Sequence, residues 1–317
     1  MQAYDFEPMS IGRILDVTFK IYKDNFIRFI TIVAIIQIPI GLLSIISSSL
    51  IRREAPVRQE SYSGQINPLT EQNPESINTE AFRANLENNR NNRSNPAVFI
   101  VGGIGMIIVG ILSLLGQLLC SGALSKSVSE VYLGNELTVG QAYGYVFPKF
   151  LSLLGAGILV ALIVYLGFIL LIVPGIIFAL WLSLTTPAII IENLRATKGM
   201  SRSKALASGN LGKIFSVGFL ALLISLLITL PFNFIGGLVG GILFADNLTM
   251  ITFITQLFSL AGQILIVPIG AIAYILLYYD LRIRKEGFDL VMLANSIGSG
   301  QGVPNVGQTL PSNNSEM

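Results

Sequence analysis

The chain has 317 residues, of which 52% are hydrophobic and only 12% charged, with a formal net charge of +2. A soluble globular domain carries roughly twice that charge, and so weak a positive balance gives no field for nucleic acid. Histidine is absent and cysteine occurs once. That excludes Ser-His-Asp and Cys-His nucleophiles, the HExxH zinc site, His-ligated haem or copper, and thiolate zinc or iron–sulfur centres.

Residues 1–28 open with a segment of helical periodicity. Ile11, Leu15, Thr18, Tyr22 and Phe26 fall on one face, and Arg13, Asp16, Lys20 and Asp24 on the other. Ser10 suits the N-cap. The segment is expected to lie as an amphipathic helix in the membrane interface. As an n-region it is too long for a cleavable signal peptide, the apolar core after it runs to 23 residues and no A-x-A site follows, so the first span is expected to act as an uncleaved anchor.

Spanning helices need about 20 apolar residues. The charge-free runs predict six, over residues 29–51, 97–119, 150–172, 174–191, 214–244 and 249–279. The 42-residue run from 150 to 191 is too long for one helix, and Val173-Pro174-Gly175 in its middle predicts the turn that divides it. Pro231 and Pro268 predict kinks in the last two spans. The loop 52–96, rich in Asn, Gln, Ser and Glu, and the tail 295–317 lack an apolar period and are expected to be disordered.

The resulting expectation is an all-α, polytopic membrane bundle over residues 29–294, built as three hairpins, each preceded by a cytoplasmic interfacial helix. The second and third of these preceding segments are LTVGQAYGYVFPKFLSL, with a Thr138/Gln141 capping box, and GMSRSKALASGNLGKIFSV, with Gly209-Asn210 as a helix stop. Lysine and arginine cluster in the N-terminal segment, in the loops after spans two and four, and after span six. By the positive-inside rule both termini are cytoplasmic, in a prokaryotic plasma (inner) membrane, with loop 52–96 outside the cytoplasm.

No ionisable residue falls inside the six predicted spans. This argues against side-chain-coupled ion transport and intramembrane aspartyl proteolysis. Gln37, Gln117, Asn233, Gln256 and Gln263 are the polar residues there, suited to hydrogen bonds between helices. Gly236, Gly237, Gly240 and Gly241 form two overlapping GxxxG pairs for close helix packing, within the monomer or across a homo-oligomer. Cys120, in an apolar run, reads as a small buried hydrophobe.

The stretch YYDLRIRKEGFDL, residues 278–290, follows the last span. Tyr278 and Tyr279 suit an aromatic belt, Asp280 can pair with Arg284, and Gly287 can end the helix. Asp280, Arg282 and Arg284, with Arg13, Asp16, Lys20, Arg202 and Lys204, make the candidate cytoplasmic docking face. No catalytic, cofactor-binding or metal-binding residue is assigned.

Four stretches together, PMSIGRILDVTFKIYKDNF, LIVPGIIFALWLSLTTPAIIIEN, MSRSKALASGNLGKIF and YYDLRIRKEGFDL, resemble the glycerophosphoryl diester phosphodiesterase membrane domain family. The resemblance implies a six-span prokaryotic fold. It implies no hydrolase activity, because the soluble catalytic domain and its histidines are absent. The expected function is a non-enzymatic scaffold, anchor or regulatory module, in contact with the bilayer and a cytoplasmic or membrane protein, without nucleic acid or cofactor. The alternative is a permease for a lipid or small solute, linked to phospholipid or glycerophosphodiester metabolism.

Overall fold

A computed structural model describes residues 8–54 and 96–287. Most of the loop 52–96 and all of the tail 295–317 lie outside the described residues. The described residues are all-helical, and six helices are long and apolar enough to cross a membrane.

In chain order the helices are α1 (Ile11–Asp24), α2 (Phe26–Glu54), α3 (Pro96–Tyr132), α4 (Val139–Val146), α5 (Phe150–Leu170), α6 (Ile172–Leu182), α7 (Thr185–Ile191), α8 (Ala196–Ala207), α9 (Leu211–Leu243) and α10 (Leu248–Glu286). Local chemistry sets many of these ends. Ser10 accepts the Arg13 N–H at 3.2 Å and starts α1. Thr138 and Gln141 form the reciprocal capping box of α4, satisfying two otherwise orphaned donors. Helix α8 stops where Gly209 takes φ +82°, and α10 stops where Gly287 takes φ +58°, a region that glycine enters without steric cost.

The boundary between α5 and α6 differs from the expected turn at Val173-Pro174-Gly175. The break is at Leu171, which is extended at φ −165° and ψ 153°. Pro174 lies in the first turn of α6, where a helix has no use for its missing N–H. Gly175 is a packing residue: a Cβ built on Gly167 of α5 would sit 2.9 Å from the Gly175 Cα. Helices α9 and α10 run unbroken through Pro231 and Pro268, and α2 runs through Pro39.

The buried face of α1 also differs from the expected one. Ile14, Thr18 and Ile21 are buried; only Thr18 of these is on the expected face, and Phe26, which opens α2, is 41% exposed. The helix carries two apolar stripes. One packs on protein and the other, with Ile11, Leu15 and Tyr22, is half-buried, and composition does not distinguish them.

The chain divides into two compact units. One comprises the described parts of Met1–Ile32, Leu118–Ser225 and Ile266–Met317; the other comprises Val33–Gln117 and Leu226–Leu265 within the described residues. In the second unit glycine spacing governs helix approach. A Cβ on Gly236 would lie 3.0 Å from the Thr255 Cα, and one on Gly240 would lie 2.9 Å from the Ile251 Cα. Gly237 and Gly241 meet nothing within 4 Å and open instead onto a shallow groove beside Asn233, Phe234, Leu238 and Ile242. The four-glycine cluster therefore splits into an inward and an outward pair. Gly240→Ala is expected to destabilise the protein by about 1–3 kcal/mol, because the contact is with backbone that cannot swing aside. Gly237→Ala should be neutral, or stabilising by up to about 1 kcal/mol from helix propensity. Unfolding in mixed detergent micelles measures both. Equal losses would contradict the split.

The polar side chains of this unit bond to one another or to nearby backbone. Gln37 donates to Gln117 at 3.1 Å, Ser48 and Gln256 meet at 3.4 Å, and Asn233 donates to the Thr229 carbonyl at 2.8 Å.

Candidate functional site

The first unit gathers the charged ends of several helices around the last turns of α10. Asp280 is the centre of one cluster. It is fully buried, and its carboxylate takes the Met9 N–H at 2.7 Å, the Lys213 ammonium, and Arg284 Nε at 3.1 Å to each oxygen. Lys213 Nζ and Arg284 Nη2 also donate to the Met9 carbonyl, at 2.6 and 3.0 Å. Both sides of the Met9 main chain are thus held by residues more than 200 positions away. The Asp280–Arg284 pair is the i,i+4 contact expected of the helix.

Glu192 and Glu286 form the second cluster. Glu192 follows the last residue of α7, where a negative charge is disfavoured by the helix dipole. Cations offset this. Arg202 Nε donates to both Glu192 oxygens at 2.8 Å, and Arg282 Nε lies 3.6 Å away. The buried Tyr278 hydroxyl donates to the same carboxylate. Arg202 turns its other edge to Glu286, with Nη2 donating at 2.7 Å. Its hydrogen bonds to Glu286, then to Glu192, hold the guanidinium protonated above its ordinary range against the opposing effect of burial. Around these clusters Lys285 caps the end of α8 by donating to the Ala205 carbonyl at 2.6 Å and to the Ser208 carbonyl. The hydroxyls of Ser129 and Tyr279 share a 2.6 Å hydrogen bond.

The expected docking face is therefore divided. Arg13, Asp16, Lys20 and Lys204 are exposed; Lys204 Nζ also sits 4.7 Å from the Trp181 ring centroid. Arg202 and Arg282 are partly covered, and Arg284 retains 39% of its side-chain exposure while its Nε bonds inward. Asp280 is a correction: at 0% exposure it offers no surface, because three donors enclose its carboxylate. Tyr278 and Tyr279 are likewise internal, at 0% and 1%, not an outward aromatic belt. Met9, Glu192, Lys213 and Glu286 were not part of the expected face. Glu192, Lys213 and Glu286 signal only as an acid or base beside a span end, which does not reveal its partner, and Met9 takes part through its main chain, which gives no sequence signal.

Chemically, this arrangement fastens. Each carboxylate of the two clusters is bound to at least one cation, and among the described residues no three of His, Cys, Asp and Glu are grouped to hold a metal ion.

Comparison with known proteins supports a membrane protein. A stretch of 98 residues is 36% identical to a protein described as UPF0259 membrane protein SG1383 from Sodalis glossinidius (strain morsitans). The match takes in 31% of this chain and 39% of that protein's length. No family model matches the chain, and no solved structure matches it. The glycerophosphoryl diester phosphodiesterase designation thus finds no support beyond the resemblance of the four stretches.

Proposed function

We propose that this membrane protein is a non-enzymatic scaffold or anchor that presents a charged surface to a protein partner. The observation that carries the reading is the asymmetry of the charged end. Asp280, Glu192 and Glu286 are each ion-paired within the protein, while Arg13, Lys20 and Lys204, with Asp16 among them, stand exposed on α1 and α8. Acid–base chemistry needs a carboxylate within reach of a substrate, whereas a docking surface needs fixed, outward charge on rigid helices. The two clusters supply that rigidity, tying α8, α9 and the start of α1 to α10. In the positive-inside reading this surface is cytoplasmic and belongs to an inner membrane. The permease alternative has less support, because the span glutamines Gln37, Gln117 and Gln256 bond to side chains of neighbouring helices.

The reading predicts that Arg13→Glu, Lys20→Glu and Lys204→Glu together abolish co-purification of a stoichiometric partner from native membranes. Insertion should be unchanged and stability should fall by no more than about 0–1 kcal/mol per exposed charge. Retention of every partner by the triple variant would refute the scaffold.

A further inference from the structure

A basic side chain stands at the start of α2, α5 and α9. In α9 it is Lys213, two residues past the first, and it is neutralised inside the protein by Asp280. In α2 the equivalent is Arg28, and in front of α5 it is Lys149. Nη1 of Arg28 and Nζ of Lys149 are both buried, and both lack a hydrogen-bond partner. The Lys149 ammonium instead lies 3.6 Å from the centroid of the Tyr145 ring. Lys126 shares that ring, 4.3 Å from the same centroid. The nearby carboxylate, Glu130, is already committed, because it pairs with Lys126 and accepts from Asn135 at 2.8 Å. A ring face compensates an ammonium only in part, and a cation screened from water without an acceptor is a costly arrangement.

What flanks these cations identifies the missing acceptor. Beside Arg28, Phe26 is 41% and Ile27 80% exposed. Beside Lys149, Phe147 is 73% and Leu151 78% exposed. A soluble anion would gain nothing from such neighbours. A molecule with an anionic head and acyl chains would satisfy both the cation and the apolar side chains.

We infer that Arg28 and Lys149 are two headgroup-phosphate sites, each taking an anionic glycerophospholipid from the surrounding bilayer. Arg28 is half-buried, and turning its Nη1 outward would present a planar fork to two phosphate oxygens. Lys149 has a four-carbon stem, long enough to turn its ammonium from Tyr145 toward the headgroup layer without moving the backbone. An anionic lipid is preferred because each site holds an unneutralised positive charge; a zwitterionic headgroup brings its own competing cation. The inference needs only the membrane location and holds whether or not the protein is a scaffold.

Native mass spectrometry of the full chain, released from detergent with added phosphatidylglycerol, phosphatidylcholine or inorganic phosphate, tests it. The wild type is expected to bind phosphatidylglycerol roughly fivefold more tightly than phosphatidylcholine. Arg28→Gln and Lys149→Gln should each weaken phosphatidylglycerol binding at its own site by roughly that factor, and the double variant should weaken both. Lys149→Arg should keep it, and Lys198→Gln, at an exposed position outside both sites, should leave it unchanged. Equal wild-type affinity for the two lipids would overturn the inference without recourse to any variant. So would unchanged phosphatidylglycerol binding in both glutamine variants, or its displacement by an equal concentration of inorganic phosphate, which would mark the sites as receptors for a soluble anion.

Discussion

Asp280→Ala is expected to lower the unfolding free energy by about 3 kcal/mol, the lower end of what removal of one partner from a buried ion pair costs. The reason is what the substitution leaves behind. Lys213 keeps only 15% of its side-chain exposure, and the Met9 N–H loses its acceptor. Arg284, at 39%, can turn to water, which holds the figure at the lower end. The loss should also release the start of α1, so protease cleavage near Met9 is expected to accelerate in the same variant. Replacing the whole cluster by apolar residues of similar length, Asp280→Leu with Lys213→Met and Arg284→Met, should recover only part of the stability: no buried charge is then left alone, but the Met9 N–H and carbonyl both lose their partners. Titration with sodium dodecyl sulfate in mixed micelles gives both numbers. A single variant within about 0.5 kcal/mol of wild type would show that the carboxylate is not enclosed as described, that being the ordinary range for surface substitutions.

The parts of this fold legible in the sequence are those written in local chemistry. Ser10, the Thr138/Gln141 box, Gly209 and Gly287 end helices through groups at most a few residues away, and the structure uses them in those roles. Long apolar runs announce six spanning helices in the same local way. The candidate site was legible only in part, because its meaning depends on separations that no window covers. Asp280 looks exposed when read beside Arg282 and Arg284. Its burial comes from Met9 and Lys213, 271 and 67 positions away. The same holds for Tyr278, whose partner Glu192 lies 86 positions upstream. A charged stretch after an apolar run is usually the edge of a membrane helix, and here it is the inside of a polar cluster. The motifs PMSIGR, IEN, MSRSKAL, GK and YYDLRIRKE read as separate flanks in the sequence, yet they supply most of the two clusters. Their residue types are therefore explained by mutual contact before any docking role is invoked.

Glu192→Ala is the second substitution with a large expected effect, about 2–4 kcal/mol. Its carboxylate is the acceptor for the Tyr278 hydroxyl, which sits on a fully buried residue. An orphaned buried hydroxyl costs about 1–3 kcal/mol by itself. To this is added the loss of one edge of Arg202 and of the neighbouring Arg282. Both arginines retain about a fifth of their side-chain exposure, 23% and 18%, so solvent screens part of that loss. Glu286→Ala provides the contrast. Glu286 is more exposed, at 31%, and its two arginine partners would keep Glu192, so the expected loss is about 1 kcal/mol or less. Tyr278→Phe separates the contributions further: in a double-mutant cycle with Glu192→Ala, the coupling should be about 1 kcal/mol or more, since each change removes the same hydrogen bond. If Glu192→Ala and Glu286→Ala lose equal stability with no coupling to Tyr278, the two acids are equivalent surface counterions. A clear gap between them would place Glu192 at the junction of α7, α8 and α10, where one carboxylate joins the end of one helix to cations on the other two.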